Sequence, residues 1–203
     1  MQDLNFMYFF GSGYAYLSVM RIDALAKASG VTVHWRPFSV RTLMIEQKNP
    51  LRSQKEKLRY IWRDIERRAA QHGVPFVAPP VWPTDPEELA NRVGVVAMIE
   101  GWCSEYTRAS FSSWYLEGKP LGDPDALTHI LVGLDKDPEM VLRKAGSDEV
   151  CERYASETDF VRGLGGFGSP TFVVGEEVFW GDDRLEEAIA WAAGQHPAQL
   201  VKE

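Results

Sequence analysis

Five residues near the amino terminus, Phe10-Gly11-Ser12-Gly13-Tyr14, constrain the fold more than any other stretch. They follow Leu4 to Phe10, a nearly continuous apolar run of the length and kind buried on both faces of a sheet. They precede Tyr14 to Ala28, where Leu17, Met20, Ala24, Leu25 and Ala28 mark one face of a helix. Gly30 is placed to end that helix, and Val31 to Trp35 reads as a second strand. The unit is strand, tight turn, helix, strand. Such a connection most often makes two parallel neighbours, with the turn at the carboxyl end of the first strand.

Ser12 then stands between two glycines, at the start of a helix. Two readings are open. Serine is a preferred N-cap, with Gly11 and Gly13 simply permitting the turn. Alternatively, free backbone N–H groups and the hydroxyl together hold a thiolate, carboxylate or phosphate.

Further along, residues 39 to 56 are polar and irregular. A helix from about Lys57 to His72 carries Leu58, Ile61, Trp62, Ile65 and Ala69 on one side. Between Lys48 and Arg68 there are eight Lys/Arg and three Asp/Glu, so this segment is basic within a chain of net charge -7. It reads as a solvated face or as an attractor for a small anion. Asp85-Pro86-Glu87-Glu88 has the spacing of a capping box and predicts a helix running to about Glu117. Phe111, Trp114 and Tyr115 on it are core or pocket lining. Asp123-Pro124, Asp137-Pro138 and Ser147 predict three more helix starts. Thr171 to Val174 and Val178 to Trp180 then predict a hairpin, and Leu185, Ala188, Ile189 and Ala192 a final helix. The order is β-α-β, a helical block, then β-β-α.

Composition excludes some classes. The negative balance disfavours nucleic acid as the main partner. There is no apolar run of membrane-span length and no leader pattern at the amino terminus, so a cytoplasmic protein without a membrane partner is expected. The two cysteines, Cys103 and Cys151, form no Cys-x-x-Cys pair and read as reduced, mostly buried thiols. His34, His72, His129 and His196 have no ligand spacing, and no metal site is expected.

In combination these residues resemble the DsbA-like thioredoxin superfamily, and more narrowly the 2-hydroxychromene-2-carboxylate isomerases and kappa-class glutathione transferases. The resemblance rests on Ser12 through Tyr16-Leu17, Lys57-x-x-Tyr60-x-x-x-Asp64, Gly73-x-Pro75, Gly168-Ser169-Pro170-Thr171-Phe172 and Phe179-Trp180-Gly181-Asp182-Asp183-Arg184-Leu185. It implies an α/β thioredoxin-like domain, residues 1–38 and 163–203, with a large all-helical domain inserted at 39–162. It also implies a glutathione-dependent isomerase in which a thiolate adds reversibly to a conjugated enone, glutathione being returned unchanged. A conjugating transferase and a silent binding protein of the same fold are the alternatives.

The resemblance assigns roles residue by residue. Ser12 serves the glutathione sulfur. Asn49 and Lys57 hold the carboxylate end, Ser169 and Pro170 present backbone to the cysteinyl part, and Asp182 and Asp183 receive the γ-glutamyl ammonium. The Ser169–Pro170 bond is expected to be cis, and the protein a homodimer acting on a small electrophile. Two positions depart from the family pattern: Gly13 stands where proline is common, and Ser169 where valine is usual.

Overall fold

The computed structural model describes residues 2–48, 55–77 and 82–200. Strand β1 (Leu4–Tyr8) is the second strand of a four-stranded sheet ordered β2-β1-β3-β4. It pairs in parallel with β2 (Val33–Pro37) and antiparallel with β3 (Thr171–Val174), which forms a hairpin with β4 (Glu177–Trp180). Leu4, Phe6, Met7 and Tyr8 are all fully buried, as a strand covered on both faces requires. Phe6 stacks on Phe172 of the neighbouring strand at 5.3 Å between ring centroids, and on Tyr8 at 4.7 Å.

The helix predicted after the turn is two helices. Helix α1 (Gly13–Val19) ends at Met20, and α2 (Ile22–Ser29) follows at once, closed by Gly30 at φ 68. The break puts Arg21 between them, where its guanidinium reaches Leu17 O within α1 and Asp182 at the far end of the chain. A short α3 (Val40–Glu46), capped by Ser39, occupies a segment expected to be irregular. Helix α4 is Lys55–His72, with Ile65 and Ala69 buried.

The helix expected from Asp85 to Glu117 is also two: α5 (Leu89–Glu100) and α6 (Cys103–Leu116), separated by Gly101 at φ 83. Its start is displaced because Asp85 caps from outside the helix. At φ 51 its carboxylate accepts from Leu89 N at 2.8 Å and Ala90 N at 2.9 Å. Arg41 holds the loop open by donating to the carbonyls of Thr84, Asp85 and Pro86. The Asp-Pro starts behave as predicted: Asp123 caps α7 (Pro124–Gly133) and Asp137 caps α8 (Pro138–Ala145), each with proline in the first turn. Ser147 caps α9 (Asp148–Gly163). A 3-10 turn at Asp182–Arg184 leads into α10 (Leu185–Ala192), and a short α11 (Pro197–Leu200) closes the described chain.

One core cluster joins the sheet to the helical block. Phe10 stacks on Phe111 at 5.5 Å, and Tyr16 on Tyr115 at 3.9 Å. Phe111, Trp114 and Tyr115 are therefore core residues. Cys103 is buried, but Cys151 is exposed, which corrects the expectation of two sheltered thiols.

Candidate functional site

The turn after β1 brings Ser12 against the loop before β3. Ser12 is the N-cap of α1, at φ -98 and ψ 117, and its Oγ accepts from Ala15 N at 3.3 Å. The same hydroxyl donates to the Ser169 carbonyl at 2.9 Å, across 157 positions of sequence. The cap reading is thus satisfied without exhausting the residue. Ser169 precedes a cis peptide bond to Pro170, as expected. Its side chain does something the valine usual at that place could not: Ser169 Oγ accepts from Phe9 N at 2.9 Å. Two hydrogen bonds therefore join the two loops, each through one serine hydroxyl.

Glycines set the surface here. Trp180 lies on Gly168, so close that any side chain at 168 would displace the indole. Trp180 and Phe167 are about half-exposed, and their rings pack at 4.7 Å. At Gly13 a Cβ would collide with Ile65 Cδ1 from α4 and lie 2.8 Å from the Tyr115 hydroxyl. The departure from proline at this place lets the inserted helices pack directly on the turn. From the other side, Trp82 Nε1 donates to Gly11 O at 3.3 Å.

The expected ligand residues fall in different environments. Lys57 is exposed near the start of α4 and makes no ion pair among the described residues. Asn49 lies outside the described residues. Asp183 is half-exposed and pairs with Arg184 at 2.8 Å. Burial works to raise its carboxyl, but the Arg184 guanidinium outweighs it and holds it below the usual carboxylate range.

Asp182 corrects its expectation. Its side chain is fully buried, and its oxygens are taken by Arg21 Nη2 at 2.7 Å, Arg68 Nη2 at 2.6 Å and Ser18 Oγ at 3.1 Å. Burial opposes the Arg68 charge, yet the bonds to Asp182 prevail and hold that guanidinium above its ordinary value. A carboxylate so enclosed is a clamp tying α1, α4 and the 3-10 turn together. Sequence reasoning did not find Arg21, Arg68 or Trp82. Arg68 and Asp182 are 114 positions apart, and no local pattern links such residues.

Comparison with known proteins agrees with this architecture. A family model described as a DSBA-like thioredoxin domain matches residues 4–189. The 2-hydroxychromene-2-carboxylate isomerase of Sphingobium xenophagum is 28% identical over 192 residues, covering 91% of this chain and 95% of that protein. The protein of the same name from Pseudomonas putida is 26% identical, covering 90% of each chain. A solved structure of a 2-hydroxychromene-2-carboxylate isomerase superposes with a TM-score of 0.83 at 26% identity, over 98% of this chain and 100% of that one.

Proposed function

Since the chain belongs to the DSBA-like thioredoxin domain family, with Ser12 and Ala15 at the turn and no Cys-x-x-Cys pair, we propose that it is a glutathione-dependent isomerase of the 2-hydroxychromene-2-carboxylate type. Relatives of that name at 28% and 26% identity support the reaction class. The observation that carries the reading is the Ser12 hydroxyl lying 2.9 Å from the Ser169 carbonyl, between the turn after β1 and the loop before β3.

The residues present fit glutathione. Lys57 is an exposed cation for a carboxylate, Asp183 a partly exposed anion for an ammonium, and the Ser169 carbonyl an acceptor for a peptide N–H. The ammonium role expected of two aspartates falls to Asp183 alone, since Asp182 is enclosed. When bound, glutathione would supply a thiolate that adds reversibly to a conjugated double bond.

The chain's own part is donor placement. Ser12 Oγ donates its hydrogen bond to the Ser169 carbonyl and accepts one from Ala15 N. The Ser169 carbonyl would be the acceptor for a peptide N–H of the bound tripeptide. The Ser12 O–H would be the donor held for the sulfur, where a donor favours the thiolate. Ser169 Oγ keeps its bond from Phe9 N throughout, so the loop stays attached to the end of β1. Trp82, Ile65 and Tyr115 pack the two flanking glycines and fix the turn.

Calorimetric titration with glutathione tests the reading, followed by turnover of a conjugated enone with and without it. Saturable binding, and isomerisation that requires glutathione without consuming it, are expected. Isomerisation at full rate without glutathione would overturn it.

A further inference from the structure

Strand β2 is an edge of the sheet, and among the described residues no strand lies beyond it. Its pairing with β1 decides which backbone groups are left over. Leu4 N donates to Thr32 O at 2.9 Å and Phe38 N to Tyr8 O at 2.9 Å, so in this parallel register the even-numbered residues from 32 to 38 face β1. Val33 and Trp35 turn their N–H and C=O groups outward, and these have no partner among the described residues. Pro37 has no N–H and closes the free edge. Such an edge is a template for another strand.

A cavity of about 640 Å³ opens along this edge, between the α5–α6 corner and α9. Side chains alternate along β2, so its two walls differ. Val33 and Trp35 face one wall with Met98 of α5. Arg36 faces the other, where Glu157 of α9 is buried at 2% side-chain exposure and takes both Arg36 Nε at 2.6 Å and Arg153 Nη2 at 2.8 Å. Two guanidinium groups on one carboxylate leave one positive charge over. The other cations nearby add none: His34 pairs with Asp3, and Arg108, over the Trp35 ring, pairs with Asp23. Arg36 also donates to Asn5 Oδ1 at 3.0 Å and lies 4.3 Å over the Phe160 ring, so it is fixed before anything binds. Its Nη2 and the Nη1 of Arg153 have no partner among the described residues.

We propose that the β2 edge binds an extended acidic peptide segment as an added strand. The segment's backbone bonds to Val33 and Trp35, and its side chains alternate between the two walls. An apolar side chain lies on Trp35 and Met98, and the next, a carboxylate, meets the free N–H groups of Arg36 and Arg153. The site is separate from the Ser12 turn. Asn5 and His34, which line the cavity, pair near the start of β1, whereas Ser12 follows its end.

The probe is an acetylated, amidated pentapeptide of alternating valine and glutamate, titrated into the isotopically labelled full chain while amide shifts are followed by NMR. Two analogues need no variant protein: one has lysine for glutamate, the other has the amides of one edge N-methylated. Saturable binding is expected, with shifts at the Val33 and Trp35 amides, and both analogues should fail to bind. Arg153→Gln, at a half-exposed helix position, should bind the parent peptide roughly tenfold more weakly, the worth of one hydrogen bond to a charged group. Equal binding of the N-methylated peptide would overturn the proposal by making this a site for a free carboxylate rather than a strand. Equal binding of the lysine analogue, or an affinity unchanged in Arg153→Gln, would remove the acidic partner. Shifts confined to the Ser12 turn, or no saturable binding, would also overturn it.

Discussion

Ser12 Oγ and the carbonyl of Ser169 are 2.9 Å apart, with the serine donating, although 157 positions separate them in the chain. That bond makes the turn after β1 and the cis-proline loop one unit. It also leaves the Ser12 hydroxyl committed as a donor to a backbone carbonyl.

Ser12→Ala should therefore slow isomerisation by about 10²-fold, the order found on losing one good donor to an anion. The helix cap is lost as well, at about 1 kcal/mol. Steady-state kinetics beside a denaturant melt separates the two effects: a large kinetic loss with a small loss of stability is expected.

The two adjacent aspartates should behave in opposite ways. Asp182→Asn removes the buried carboxylate shared by Arg21 and Arg68, leaves Arg21 only the half-exposed Glu186, and should cost roughly 3–5 kcal/mol in denaturant unfolding. Asp183→Asn removes a half-exposed carboxylate paired with its neighbour, and should change stability by no more than about 0.5 kcal/mol. Glutathione affinity, read by calorimetry, should fall in Asp183→Asn. Equal stability losses in the two variants would contradict the assigned roles.

Most of the architecture was legible because it is written in local pattern. The apolar run of β1, the Asp-Pro starts of α7 and α8, Gly30 as a cap and the β3–β4 hairpin depend on neighbours a few residues apart. The misreadings share one cause. Asp85 has the spacing of a cap within a helix, but Arg41, 44 positions away, holds its loop in another shape. Asp182 is expected to receive an ammonium together with Asp183, but two distant arginines enclose it. Likewise Gly13 reads as a flexible turn residue, whereas its smallness answers to Ile65 and Tyr115. Local chemistry shows which groups are present; only packing shows which are already used.

Ser169→Val, which restores the residue usual in the resembling family, should weaken this protein. It removes the acceptor of Phe9 N and leaves a backbone donor unsatisfied in a mostly buried place. A loss of about 1–3 kcal/mol is expected, with faster amide exchange at Phe9. Ser169→Thr keeps the hydroxyl and should restore both.

The two thiols should differ in reactivity and in their effect on pH stability. Cys151 is exposed and should react with a thiol reagent in the native protein, whereas Cys103 should react only on unfolding. Burial pushes the Cys103 thiol up to about 12, from 9.0 when exposed. The folded state then keeps a proton that the unfolded chain releases, so this contribution is intact below about pH 9 and is lost as pH rises toward 12. Unfolding free energy should fall by up to about 1.4 kcal/mol per pH unit across that window from this group. Cys103→Ala should show a shallower alkaline slope in urea melts.

The central claim is that Ser12 gives its hydrogen bond to a thiolate, and the ultraviolet absorbance of glutathione bound to wild type and to Ser12→Ala tests it most directly. Titrated against pH, the wild-type midpoint should lie well below the value of about 8.5 for a free cysteine thiol, and it should rise toward that value in Ser12→Ala. A bound thiol that titrates like a free one in wild type, or a midpoint unchanged by the substitution, would contradict the account.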